Sequence, residues 1–110
     1  MRYQLSCKIW LEYRGKPLIG KGGAEILEQV EMEQSISKAA KKLGMSYRYV
    51  WSYLKRMERT LGEPVIETHR GGSGGGGARL TRVGKELLEE YKGIENNLRK
   101  VLAGQPIKEH

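Results

Sequence analysis

Between Tyr3 and Tyr13, apolar residues alternate imperfectly with polar ones, which is the period of a β-strand. Leu5, Cys7, Ile9 and Leu11 fall on one face of that strand. A tight turn at Arg14-Gly15-Lys16 leads into a short return strand at residues 17–19, so the pattern predicts an N-terminal β-hairpin. The glycine-rich residues 20–23 lack the GxxxxGK[ST] spacing of a phosphate-binding loop, and we interpret them as a plain loop.

From Ala24 onward the apolar spacing becomes that of helices. Ile26, Leu27 and Val30 predict a first helix that ends near Glu33. The serines of residues 35–37 can cap a second, short helix, and Gly44 can take the positive φ that ends it. The short helix has a narrow apolar side of Ala39, Ala40 and Leu43, which suits close packing against a neighbouring helix.

The third predicted helix, capped by Ser46 and running to about Leu61, has two faces on opposite sides. The apolar face contains Val50, Leu54, Met57 and Leu61, the polar face contains Arg48, Ser52, Lys55 and Arg59, and Trp51 lies at the border. A short helix, a tight turn and such a two-faced helix are typical of a helix-turn-helix, whose exposed face can enter the major groove of DNA. Taken alone, the helix is also compatible with a solvated basic face.

Two short strand-like segments, at residues 65–67 and 78–80, enclose a glycine-rich stretch. By composition that stretch also fits a flexible linker. The flanking strands and the basic residues Arg70 and Arg79 favour a wing, whose side chains or backbone amides can approach phosphates or a minor groove. Ser73, inside the glycine tract, is included among the predicted DNA contacts.

Beyond Thr81, a predicted helix cap, one long helix is expected. From Leu87 its apolar residues follow the spacing of a heptad seam, which contains Leu87, Tyr91, Ile94, Leu98 and Val101. Such a helix either packs on its own domain or pairs with a second copy, and the limited surface of a 110-residue chain favours a homodimer. We predict an α+β, mostly helical fold: residues 1–81 form a winged helix-turn-helix with its N-terminal hairpin, and residues 82–110 form a dimerisation helix and tail.

The positive charge is concentrated in the helix-turn-helix. Residues 38–59 contain seven lysines and arginines against one glutamate, which accounts for six of the net seven positive charges. A positive surface on one element attracts phosphates and gains free energy from counterion release. Double-stranded DNA is therefore the predicted partner.

Composition argues against several other classes of protein. Cys7 is the single cysteine and His69 and His110 are the only histidines, so neither a disulfide nor a metal site nor a cofactor is predicted. No apolar run is long enough for a membrane span and no signal peptide is recognisable, which favours the cytoplasm. Paired carboxylates at active-site spacing and a nucleophile elbow are absent from the sequence, so an enzyme is not expected.

The residues SISKAAKKLGMSYR (35–48) with Trp51, GEPV (62–65), and GGSGGGGARLT (71–81) with Gly84 resemble the N-terminal DNA-binding domain of ModE-type molybdate-responsive regulators. The wider similarity is to LysR-type winged helices, and it covers roughly residues 5–100. The resemblance implies a dimeric transcriptional regulator whose third helix reads DNA at Ser46, Tyr47, Arg48 and Trp51. The wing and the long last helix then supply further DNA contacts and the dimer interface.

This sequence departs from the family in two respects. The family usually has glycine where Gln34 stands, which predicts either a reshaped turn or a strained residue costing about 1 kcal/mol. The C-terminal oxyanion-binding domains have no counterpart in these residues, so we expect a regulator without its own molybdate site, acting constitutively, through a separate sensor protein or with an unknown ligand. The alternative function is an RNA-binding or protein-interaction module that uses the same helix face.

Overall fold

The structure, a computed structural model, describes residues 2–70 and 77–104. Its elements are β1 (Trp10–Tyr13), β2 (Lys16–Gly20), α1 (Lys21–Glu33), α2 (Ile36–Leu43), α3 (Tyr47–Leu61), β3 (Ile66–His69), β4 (Gly77–Leu80) and α4 (Arg82–Gly104). β1 pairs with β2 and β3 pairs with β4, each pair antiparallel, so the helix-turn-helix lies between two hairpins in the chain. The predicted mostly helical α+β architecture with an N-terminal hairpin and a wing is confirmed.

The first strand is shorter than its sequence pattern predicts. β1 begins at Trp10, which pairs with Gly20 at the end of β2. Residues before Trp10 extend beyond the five-residue return strand and have no backbone partner there, so Leu5 and Cys7 are exposed. The prediction of a strand from Tyr3 is therefore wrong for its first half, because alternation alone does not supply a pairing partner.

The interpretation of residues 20–23 as a loop is also wrong, because α1 begins at Lys21. Gly23 lies inside this helix against α3. A Cβ atom added there would lie 2.8 Å from Tyr53 Cε1 and 3.1 Å from Ile19 Cγ1. The glycine therefore permits close packing of α1 against its neighbours and does not mark a loop.

The predicted caps of the helix-turn-helix are confirmed. Ser35 Oγ accepts the Lys38 N–H and Ser46 Oγ accepts the Tyr49 N–H, both at 3.1 Å. Gly44 ends α2 with a φ of 69°. Gln34, at a φ of 55°, has the left-handed backbone that was predicted to be strained, and its N–H donates to Val30 O at 2.8 Å. These contacts define the turns between α1 and α2 and between α2 and α3.

One core holds the domain together. Its largest fully buried side chains come from β2, from α1, from α3, from the base of the wing and from α4: Ile19, Ile26, Leu27, Val30, Val50, Leu54, Met57, Val65 and Tyr91. Thr81 caps α4 by accepting the Gly84 N–H at 3.1 Å, as predicted, and donates its own hydroxyl to Pro64 O. The start of α4 is thereby fixed to the segment before β3.

The predicted heptad seam is divided in two by this packing. Leu87 and Tyr91 are 8% and 1% exposed within the single chain, because the first half of α4 packs on α1 and β4. A second copy is not needed to bury these two side chains, and their role as dimer residues stays an untested prediction. Ile94 is half-buried, while Leu98 and Val101 are exposed. Among the described residues of the seam, Leu98 and Val101 are therefore the exposed ones.

Candidate nucleic-acid interface

The outward side of α3 is polar and basic. Arg48, Ser52 and Arg59 are exposed, while Val50, Leu54 and Met57 are buried on the opposite side. The structure thus brings three of the predicted DNA-contacting residues onto one accessible face. Arg48 lies in the first turn of the helix, where a side chain is nearest to base edges when such a helix enters a major groove.

One flank of α3 carries a row of stacked side chains. The rings of Tyr47 and Trp51 are nearly parallel, with centroids 6.4 Å apart. Lys55 Nζ lies 4.4 Å from the centroid of the Trp51 ring. The spacing of four residues places all three on the same side of the helix. These predicted contacts therefore form one connected row and not three independent groups.

Glu58 ends this row and was missed by the sequence analysis. Its Oε1 atom pairs with Lys55 Nζ at 3.2 Å, and its Oε2 atom accepts the backbone N–H groups of Val65 and Ile66 at 2.9 and 3.3 Å. The carboxylate thus joins α3 to the base of the wing. Its signal in the sequence was its position as the lone acidic residue of residues 38–59, three residues after Lys55.

The wing is anchored to the rest of the domain through the turn between α1 and α2. The Ala78 N–H donates to Gln34 O at 3.1 Å. Gly77, next to it, packs against His69 and Gln34: a Cβ atom there would lie 2.7 Å from His69 Nε2 and 3.2 Å from Gln34 O. The strained Gln34 backbone therefore presents its carbonyl to β4 and fixes where the wing begins.

The charged wing residues differ in their surroundings. Arg79 Nε pairs with Glu67 Oε1 at 2.6 Å, across the strand pair that the register predicts. Arg70 is exposed at the end of β3. Ser73, the third predicted contact of the wing, lies outside the described residues. Among the predicted wing contacts, Arg79 therefore forms an ion pair within the protein, with Glu67 of the neighbouring strand.

A cleft of about 560 Å³ lies between the wing and the helix-turn-helix. Its lining comes from the start of α2, the start of α3 and the two wing strands: Ser35, Ile36, Ser37, Tyr47, Thr68, His69, Arg70, Gly77 and Ala78. Hydroxyl groups, an imidazole and a guanidinium are thereby collected beside a helix N-terminus. This chemistry suits an anion such as a phosphate group.

Residues 2–70 and 77–104 contain no group of histidine, cysteine and acidic residues that could hold a metal ion. None of the helices in those ranges is long and apolar enough to cross a membrane.

Comparison with known proteins places this geometry among bacterial regulators. Residues 23–85 match the family described as "Bacterial regulatory helix-turn-helix protein, lysR family". The chain is 38% identical over 84 residues to the molybdenum-pterin-binding protein MopB of Rhodobacter capsulatus, a match that covers 74% of this chain and 31% of that protein. It is 38% identical over 66 residues to the DNA-binding transcriptional dual regulator ModE of Escherichia coli K12, covering 60% and 25%. The matched region thus spans about a third or less of these curated relatives.

Solved structures with the same fold include two complexes of the BenM DNA-binding domain. The complex with benA site 1 DNA has a TM-score of 0.56 at 22% identity and covers 73% of this chain and 87% of that one. The complex with catB site 1 DNA has a TM-score of 0.57 at 21% identity, covering 79% and 94%. At these identities the likeness establishes the fold.

Proposed function

The chain belongs to the lysR family of bacterial regulatory helix-turn-helix proteins, and on that basis we propose that it binds duplex DNA as a dimeric transcriptional regulator. The resemblance to LysR-type and ModE-type proteins that the sequence predicted is confirmed, and the family is one of regulators, not of enzymes. The observation that carries the proposal is the exposed face of Arg48, Ser52 and Arg59, which lies directly opposite the buried stripe of α3.

α3 acts as the reading helix in this proposal. With its side chains a helix is about 10–12 Å across, which matches a major groove about 12 Å wide. Arg48 in its first turn can donate two hydrogen bonds to a guanine, while Ser52 and Arg59 follow on the same face. Tyr47, Trp51 and Lys55 then lie along the groove wall, where an aromatic row and a cation contact sugar and phosphate.

The cleft beside the wing is the proposed phosphate site. Ser37 is exposed at the start of α2, and Arg70 is exposed at the end of β3. Hydroxyl and guanidinium donors on one side of the reading helix can fix its register on the duplex without reading sequence. The glycine tract that follows Arg70 lies outside the described residues, and its contact with DNA stays a prediction from the sequence.

The second half of α4 is the proposed dimer interface. Leu98 and Val101 are 41% and 57% exposed, and Ile94 is half-buried beside them. Each large apolar side chain contributes about 1.5 to 3 kcal/mol when fully buried. A two-fold pairing of these helices presents two reading helices to one palindromic site, with the half-sites about one DNA turn apart.

The relatives suggest which genes to test first. Several carry names that refer to molybdenum, including the molybdenum transport protein ModE of Azotobacter vinelandii. We therefore propose promoters of molybdenum-related genes as the first candidate operators.

Selection of bound fragments from the native genome, followed by titration, tests the DNA proposal. We expect a duplex recovered by selection to bind more tightly than both a mixed-sequence duplex and a structured RNA of equal length. The deep, narrow major groove of A-form RNA does not admit a helix, so equal or tighter binding of the RNA would support the alternative RNA-binding module and contradict the proposal.

A further inference from the structure

The described residues of the wing lie on one side of the reading helix, and the N-terminal hairpin lies on the other. Tyr47 shares its cleft with the wing residues His69 and Arg70. Arg56, nine residues later, shares a different cleft of about 520 Å³ with Lys16 of β2. Nine residues are two and a half turns at 3.6 residues per turn, so the two clefts open on opposite flanks of α3.

The hairpin is built to present positive charge beside that second flank. Its two turn residues, Arg14 and Gly15, both have positive φ, at 52° and 80°, as in the two-residue turns that match strand twist. Asparagine or glycine is the usual residue at such a position, whereas here an arginine takes the left-handed backbone. Arg14 and Lys16 are both exposed at the tip, and the Arg14 guanidinium lies 5.3 Å from the centroid of the Tyr13 ring.

Among the described residues, no carboxylate lines the cleft that Lys16 and Arg56 share. Among residues 2–70 and 77–104, neither Lys16 nor Arg56 forms an ion pair. Arg56 is exposed and lies over the Tyr53 ring at 4.8 Å, which orients it without neutralising it. Glu12 is the acidic residue of the hairpin, and its Oε2 atom accepts the Trp10 indole N–H at 3.0 Å.

A helix that fills a major groove faces a sugar-phosphate wall on each flank. We propose that the N-terminal hairpin is a second DNA-contacting arm, in which Lys16 and Arg14, together with Arg56 of α3, bind phosphates of the groove wall opposite the wing. The matched family segment begins at residue 23, so the hairpin lies before it. This inference rests on the proposed function, since it assumes that α3 lies in the groove.

The test compares two variants that each remove one positive charge. Lys16→Gln removes a proposed phosphate contact, whereas Lys100→Gln removes an exposed charge from the far half of α4. Each protein is titrated with a duplex recovered by selection and with a mixed-sequence duplex over a potassium chloride series. Ethylation interference on the selected duplex maps the phosphates that matter.

For Lys16→Gln we expect the negative slope of log K against log salt to become shallower by about 0.9 on both duplexes, which corresponds to one lost phosphate contact. Interference at phosphates of one groove wall should disappear with it, while Lys100→Gln should match the parent in slope and pattern. A parent that binds DNA, with Lys16→Gln unchanged in both measurements, would overturn the hairpin contact and leave the proposed function intact. A parent that binds no duplex would overturn both.

Discussion

Glu58 Oε2 accepts the backbone N–H of Val65 at 2.9 Å, which joins the reading helix to the residue before the wing. The same oxygen accepts the Ile66 N–H, and the other oxygen pairs with Lys55. Because Glu58 is only 15% exposed in its side chain, these bonds are partly protected from water. The spacing between reading helix and wing is thus set by one carboxylate that does not need to touch DNA.

Removing that carboxylate should cost stability. In Glu58→Ala two backbone N–H groups lose their acceptor, and we expect the free energy of unfolding to fall by about 1 to 3 kcal/mol. Glu58→Gln keeps an acceptor oxygen and should lose less. Urea unfolding followed by circular dichroism measures both, and equal losses in the two variants would contradict the role of the backbone bonds.

Arg48 and Lys55 should differ in how they affect specificity. Because Arg48 lies in the first turn of the exposed face, Arg48→Ala should weaken binding to the selected site by about 1 to 3 kcal/mol and relax base preference there. Lys55→Ala should weaken binding to selected and mixed-sequence DNA alike. Parent-like titrations of Arg48→Ala on both duplexes would show that this face of α3 does not read DNA.

Two glycines of α4 allow a matched test of packing. A Cβ atom at Gly84 would lie 2.1 Å from Val65 O, whereas at Gly93 nothing lies within 4 Å. Gly84→Ala should therefore destabilise the domain by about 3 kcal/mol, since backbone must move. Gly93→Ala should stabilise it by about 0.5 to 1 kcal/mol, because alanine favours a helix over glycine. Thermal unfolding of the two variants measures this difference in stability. Similar midpoints for both would contradict the close approach of α4 to Val65.

The Tyr91 phenol should make stability depend on alkaline pH. Burial raises the pKa of Tyr91 above its ordinary value of 10.0, and the nearby Glu95 carboxylate raises that pKa further. A raised pKa in the folded state means that the stabilising contribution is complete below pH 10 and is lost as the pH rises through the folded value. Tyr91→Phe should be less stable at neutral pH by about 1 kcal/mol, since its bond to Ile9 O is lost. The free energy difference between parent and variant should shrink above pH 10, and a constant difference would contradict the shift.

Local signals in the sequence were sufficient for most of the fold. Ser35, Gly44 and Ser46 cap helices as their residue types predict, because capping depends on a few neighbouring backbone groups. The errors came from long-range packing. The sequence predicts a loop at Gly23, since no local pattern shows that Gly23 packs against Tyr53. The two residues are thirty positions apart in the chain.

In the candidate site, too, the sequence predicts what depends on local spacing and does not predict contacts between distant parts of the chain. The exposed face of Arg48 and Arg59 follows from helical periodicity, so the sequence alone could predict it. The bonds of Glu58 to the wing depend on where β3 begins in space, which no spacing rule supplies. The seam of α4 shows both outcomes. Its heptad period predicts a continuous apolar stripe, but the period does not show that Tyr91 is buried by other residues of the same chain.

The far half of α4 should control the oligomeric state. Leu98 and Val101 are exposed in the single chain, so replacing both by aspartate removes the proposed dimer contact without disturbing the core. At tens of micromolar protein, we expect the parent to sediment as a dimer and the variant Leu98→Asp with Val101→Asp to sediment as a folded monomer. The variant should also bind a palindromic duplex much more weakly, since its two reading helices are no longer linked.

A matched control keeps the added charge and moves it to the other side of the helix. Asn96 and Ala103 are exposed, and at 3.6 residues per turn they lie roughly opposite Leu98 and Val101. Asn96→Asp with Ala103→Asp should therefore remain a dimer with parent-like DNA binding. If the control dissociated as readily as the first variant, charge on α4 and not burial of Leu98 and Val101 would explain the effect. A parent that sediments as a monomer would remove the dimer from the proposed function.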